Sequence, residues 1–228
     1  MISHDLHGSC PDSSRVALLI VDMINGLEFP DGDALRRHGE RIAPRISALA
    51  ARAREAKVPV IYVNDNFGRW RSDFNAIVEH VLHHTHGRSV AELLLPRDND
   101  YFVLKPKHSG FFYTSLEVLL HYLDVRWLIL TGMAGNICVF FTANDAYMRD
   151  YGLIVPRDCI ASVREDLNDH ALATMHDTLK ADTTASHALD LAAYLDPERY
   201  PSPRERARCD AAGVSCAPCP GDASRPSS

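Results

Sequence analysis

The sequence predicts an α/β fold: a three-layer α/β/α domain on a doubly wound, mostly parallel sheet of five to six strands. Three observations carry this. Short apolar runs recur along the chain at residues 16–21 (VALLIV), 60–63, 101–104, 127–130 and 153–155. They are continuously apolar rather than alternating, as expected of strands buried on both faces. Stretches of helical composition separate them, and strands alternating with helices build a parallel sheet with right-handed crossovers. Finally, polar or small residues follow the runs directly: Asp22, Asn64 with Asp65, Lys105, and the loop Gly132–Cys138. Such sheets bind ligands beyond the carboxyl ends of their strands.

In chain order, residues 1–14 are polar and irregular and read as a flexible arm. After the first strand, residues 34–56 have helical periodicity and stop before Val58-Pro59. The second strand opens into Asn64-Asp65-Asn66-Phe67-Gly68-Arg69-Trp70-Arg71, followed by a polar helix over 72–84. The third strand is ended by Lys105-Pro106, since proline cannot donate to a ladder. Helices follow over 113–123 and, after the fourth strand, to about Met148. The fifth strand leads to a helix over 168–179, a short sixth strand over 182–186 and a last helix over 187–195. From 197 the composition turns to Pro, Ser, Arg, Asp and Gly without an apolar face, which predicts a disordered tail over 197–228. The folded domain is thereby bounded at 15–196.

The totals exclude several classes. A net charge of −6 with no basic stripe argues against a nucleic-acid surface. No apolar run approaches a membrane span, and the N-terminus lacks a basic start and apolar h-region. Six cysteines, three of them in the tail, do not form a disulfide framework pattern, so a reduced, cytoplasmic protein is expected. Cys209, Cys216 and Cys219 supply three ligands where a structural zinc site takes four, so no metal is expected there.

The run Arg126–Tyr151 organises the chemistry. A buried strand ends in Thr131-Gly132-Met133-Ala134-Gly135, whose small residues permit a tight path, and Asn136 is positioned to cap a helix. Cys138 therefore falls in a first helical turn, where unpaired N–H groups favour a thiolate and an oxyanion. An unpaired cysteine in an apolar element is also a common core residue, and position alone does not separate the two. The rim does. Asp22 supplies a base, Lys105 a cation, and the Gly132–Cys138 turn supplies backbone donors.

These pieces resemble the isochorismatase-like cysteine hydrolases, the superfamily of nicotinamidases and N-carbamoylsarcosine amidase. The matching segments are Leu19-Ile20-Val21-Asp22-Met23, Lys105-Pro106-Lys107-His108-Ser109-Gly110-Phe111, and Gly132-Met133-Ala134-Gly135-Asn136-Ile137-Cys138-Val139 running into Thr142-Ala143-Asn144-Asp145-Ala146. The similarity covers roughly residues 15–195, with these segments in the expected order and spacing. The resemblance implies a triad of Asp22, Lys105 and Cys138. It also implies a cis peptide at Met133–Ala134 and an oxyanion hole from the N–H groups of Ala134 and Cys138. The expected activity is hydrolysis of a small amide, ureido or imide substrate at a C–N bond other than a peptide bond, through a thioester. Relatives generally assemble, so a homo-oligomer (dimer or tetramer) is expected.

Two departures bear on substrate. Nicotinamidases carry an Asp-x-His…His metal site after the second strand, whereas Asp65 is followed by Asn66 and Phe67, with no histidine before His80. No metal and no other cofactor is therefore expected. Isochorismatases proper commonly lack the nucleophilic cysteine that is present here. The alternatives are isochorismatase-type ether hydrolysis, a metal-dependent nicotinamidase, a catalytically silent binding protein of the same fold, and a thiol redox protein. Asn64, Phe67, Trp70, Arg71, Phe111 and Tyr113 are the candidates for substrate contact, the aromatics as walls and the arginine as a carboxylate partner.

Overall fold

The structure, a computed structural model, describes residues 12–68 and 73–212. The chain runs through β1 (Val16–Val21), α1 (Gly32–Glu55), β2 (Val60–Asp65), α2 (Phe74–His84) and the single-turn α3 (Arg88–Ala91). It continues through β3 (Tyr101–Lys105), α4 (Leu116–Tyr122), β4 (Trp127–Met133), and a π-helical turn over Gly135–Val139 that passes into α5 (Phe140–Tyr147). β5 (Gly152–Ile154), β6 (Ile160–Ala161), α6 (Glu165–Asp177), α7 (Leu191–Leu195) and α8 (Pro203–Ala212) complete it.

The six strands form one sheet in the order β3-β2-β1-β4-β5, with β6 also paired to β4, and every pairing is parallel. β1 is buried along its whole length, and its alternation divides the interior. Val16, Leu18 and Ile20 pack into one apolar cluster with Ile42, Ile46 and Leu49 of α1 and Phe74 and Ile77 of α2. Ala17, Leu19 and Val21 pack into the other, with Leu116 and Leu120 of α4, Ala143 of α5 and Met175 of α6. Helices thus cover both faces, because a strand apolar on both sides can be desolvated only between two layers.

The chain winds outward from β1 through β2 to β3, then returns to β4 on the other side of β1. The reversal places a crevice at the carboxyl ends of β1 and β4, where Val21 and Gly132 are register partners. Gly132 has φ 113, and a Cβ there would lie 2.0 Å from the Val21 carbonyl oxygen. Only glycine permits so close a strand approach at that backbone angle.

Three expectations are corrected. The sixth strand is Ile160–Ala161, not 182–186, where Asp182 makes a single parallel bridge to Ile154. Two residues are too few to register as an apolar run, and one bridge cannot be told from a strand by composition.

The segment 197–212 is ordered rather than structureless. Ser202 and Glu205 form a capping box for α8: the Ser202 N–H donates to Glu205 Oε2 at 2.8 Å and the Glu205 N–H to Ser202 Oγ at 3.4 Å, with Pro203 first in the helix. Arg15 Nη2 donates to Glu205 Oε2 at 2.9 Å, tying α8 to the start of β1. The S-x-x-E signal is present in the sequence, masked by the polar composition around it.

Cys209, expected to be a reduced thiol, is disulfide-bonded. Cysteine count and spacing do not fix pairing. Among the described residues no helix is long and apolar enough to cross a membrane.

Candidate active site

Asp22 directly follows β1, with φ 51, a left-handed conformation that Asp tolerates better than most residues. It is 4% exposed. Its Oδ1 accepts the Asp65 N–H at 2.7 Å and its Oδ2 lies 2.8 Å from Lys105 Nζ. Lys105 ends β3 and is completely buried. Its Nζ also lies 3.5 Å from Asp65 Oδ2 and 3.6 Å from Cys138 Sγ. A buried ammonium must find acceptors for its three hydrogens, and Asp22, Asp65 and Cys138 are three. The rim residues of β1, β2, β3 and the turn after β4 therefore meet at one nitrogen.

Cys138 lies in the π-helical turn, entered through a cis peptide at Met133–Ala134. The Ala134 carbonyl accepts the N–H groups of Ile137 at 3.0 Å and Val139 at 3.2 Å. The Asn136 N–H donates to Ser162 Oγ at 3.1 Å, and Ser162 donates to Asn168 Oδ1 at 2.9 Å. A Cβ on Gly135 would lie 2.2 Å from Asn168 Oδ1, so glycine lets α6 close over the turn. On the other side Thr142 Oγ1 donates to the Cys138 carbonyl at 2.7 Å.

Electrostatics correct one expectation. Cys138 is not an acidic thiol in the resting site: burial pushes it up to about 12, the Asp22 charge pushes the same way, and Lys105 opposes both. Burial likewise raises Asp22, against the pull of Lys105. For Lys105, burial opposes the charge, but Asp22, Cys138 and Asp65 outweigh it and hold the ammonium above its ordinary range. The physical reading is that Asp22 and Cys138, flanking the same Lys105 ammonium, titrate as a coupled pair in which desolvation disfavours a second negative charge. The helix-start argument omitted the desolvation that closing the site entails.

The substrate-contact candidates separate. Asn64 is buried on the face of β2 shared by Val60 and Tyr62. Its Nδ2 donates to the Ile24 carbonyl at 2.9 Å, so it braces the loop after Asp22 rather than facing the thiol. Phe111 is a core side chain, 6% exposed, with the Arg149 guanidinium 4.8 Å above its ring. Expected as a pocket wall, it is instead taken up by the apolar cluster under α4 and α5. Tyr113 stands 90% exposed against Phe112. Phe67 is 43% exposed and lines a cavity of about 350 Å³ with Asn25, Leu27, Phe29, Ile77 and His80. Trp70 and Arg71 lie outside the described residues. Asp65, which the sequence places on the rim with Asn64 but gives no role, is the further participant: it is the register partner of Lys105 across β2 and β3.

Among the described residues, no three His, Cys, Asp or Glu side chains are grouped to hold a metal ion. At the position after β2, Asn66 and Phe67 offer no imidazole, and the Asp65 carboxylate is turned to Lys105, so the residues there do not fit a His-rich divalent site.

Comparison with known proteins gives the family of the chain. The model of a family described as Isochorismatase domain matches residues 16–187. The isochorismatase family protein YaaI of Bacillus subtilis (strain 168) is 46% identical over 173 residues, covering 76% of this chain and 95% of its own. Ureidoacrylate amidohydrolase RutB of Methylobacterium radiotolerans is 27% identical over 230 residues, covering 89% of this chain and 86% of its own. A solved cysteine hydrolase from Pseudomonas syringae pv. phaseolicola 1448A superposes with a TM-score of 0.62 at 28% identity, covering 76% of this chain and 89% of that one. With the greater part of its length matched by that family model, and with YaaI similar over the same region, the chain belongs to the isochorismatase family and is a hydrolase.

Proposed function

We propose that this hydrolase cleaves a small amide or ureido substrate by acyl transfer to Cys138, without a metal. The observation that carries the reading is the wholly buried Lys105 ammonium, 2.8 Å from the Asp22 carboxylate and 3.6 Å from the Cys138 sulfur. A lysine is desolvated at such cost only where its charge is used. The similarity to an enzyme named for ureidoacrylate supports the substrate class.

In the proposed mechanism the Cys138 proton passes to Asp22 as Sγ attacks the carbonyl carbon. The carbonyl π pair moves to oxygen, and the N–H groups of Ala134 and Cys138 stabilise the oxyanion, each contributing about 3–4 kcal/mol in comparable sites. Collapse breaks the C–N bond, and Asp22 returns the proton to the leaving nitrogen, giving amine and thioester. Water then attacks the thioester and gives a proton to Asp22. The C–S bond breaks, the thiolate recovers that proton, and the acid leaves. Lys105 stays an ammonium throughout and stabilises whichever partner is anionic.

Phe67 and its cavity are read as the accommodation for the substrate's apolar portion. Assembly as a dimer or tetramer is supported by apolar side chains left exposed on the surface, among them Phe112, Phe141 and Met148.

The test is ammonia or amine release from a panel of ureides, carbamoyl amino acids and primary amides, before and after exhaustive EDTA treatment. Activity that survives EDTA and vanishes in Cys138→Ala supports the reading. Activity lost to EDTA and restored by zinc or manganese replaces it with a metal-dependent amidase, and unreduced activity in Cys138→Ala removes the nucleophile.

A further inference from the structure

We propose that Asp65 is a positioning residue that shares Lys105 with Asp22 and thereby keeps Cys138 protonated between turnovers. This rests on the triad reading above and deepens it. Asp65 touches two of the three members at once. Its backbone N–H holds Asp22 Oδ1 at 2.7 Å, and its Oδ2 lies 3.5 Å from Lys105 Nζ. Its Oδ1 is fixed by the Phe67 N–H at 2.7 Å, so the carboxylate cannot swing away without breaking that turn. Asp65 and Lys105 are direct register partners at the ends of β2 and β3, which locks the pair to the sheet.

The consequence is one of charge count. Asp22, Asp65 and Lys105 sum to one negative charge beside the sulfur, and a thiolate would add a second in a site where Asp22 and Lys105 are buried and Cys138 is half-buried. With Asp65 neutral, the lysine charge would be matched by Asp22 alone, and the thiolate would cost less. The other charged groups on the elements packed against the Cys138 turn are turned elsewhere. Asp145 of α5 is engaged by Ser109 and Arg149, Glu165 of α6 by Arg41, and Asp166 by Arg164. Asp169 and His170 of α6 are exposed, and His176 meets the Ala181 carbonyl. Across the turn, β4 and β6 bring no ionisable side chain.

The test is the pH dependence of iodoacetamide alkylation at Cys138, read by mass spectrometry of its peptide in the full-length protein. Asp65→Asn should move the alkylation midpoint to lower pH by about one unit, about tenfold faster alkylation at a fixed pH below it. Asp65→Glu, which keeps the charge, should leave the midpoint within a few tenths of the wild-type value. A residue that merely braced the fold would lower the melting temperature in both variants without moving the midpoint. If Asp65→Asn folds poorly, Asp65→Ser gives the same readout. A midpoint unchanged or raised in the charge-removing variant overturns the proposal. Because alkylation needs no turnover, this outcome stays readable whether or not Cys138→Ala abolishes hydrolysis.

Discussion

Thr142 and Cys138 are joined one helical turn apart by a 2.7 Å hydrogen bond from the threonine hydroxyl to the cysteine carbonyl, and the same hydroxyl accepts the Gly110 N–H at 3.0 Å. Gly110 belongs to the loop that leaves Lys105. One buried oxygen therefore ties the segment carrying the ammonium to the turn carrying the thiol. Thr142→Val keeps the shape and strands the Gly110 N–H. The expected loss is about 1–3 kcal/mol in chemical denaturation, the usual cost of orphaning a buried donor. Thr142→Ser should recover most of it.

Lys105→Met should lower stability by about 3–5 kcal/mol, since it leaves the buried Asp22 carboxylate without its counter-charge. In an Asp22→Asn background the same change should cost less, because the stranded charge is already gone. A double-mutant cycle by urea unfolding measures the difference. Additive costs would show that the two groups do not stabilise each other.

Gly132→Ala places a methyl group about on top of the Val21 carbonyl at a φ that favours glycine. The strained angle alone costs of order 1–3 kcal/mol, and the overlap adds to it. The expected result is a sharply lowered melting temperature together with lost activity, while Gly68→Ala, with open space around it but φ 71, should cost only the backbone strain, about 1–2 kcal/mol.

Acid should release α8. Glu205 is held down to about 2: burial pushes it up, but Arg15 and Ser202 outweigh that. A carboxylate with a depressed folded pKa contributes stability that is whole above its ordinary range and is lost as pH falls through the folded value. Limited proteolysis between Leu195 and Pro203 should therefore quicken as pH drops from about 4.5 towards 2. Glu205→Gln should be equally cut across that window. An unchanged profile in the variant would show that the clasp does not hold the helix.

The sheet was legible because its strands are apolar on both faces, and in a chain of this length little besides a parallel sheet covered by two helical layers buries such runs. The register pairs Val21 with Gly132 and Asp65 with Lys105, and so brings residues far apart in sequence to one rim. What stayed hidden depended on depth. Nothing in the composition around Phe111 says that Arg149 will cover it from beyond α5. Nor does the helix-start position of Cys138 reveal how much water its neighbours exclude. The capping box of α8 was readable, but a ten-residue helix with no buried residue carries too little apolar area to announce itself.

The completely buried ammonium of Lys105 bears on the surroundings in which the protein can work. Moving a proton from Cys138 to Asp22 shifts it between two atoms that flank the same cation, so the site's total charge is the same before and after. Dissolved ions screen exposed charges beyond about 8 Å at physiological ionic strength, and buried pairs much less. The step that arms the sulfur beside the buried Asp22 and Lys105 is therefore less sensitive to salinity than the surface is. Added salt would be felt first at the surface pairs, such as Arg88 with Glu92.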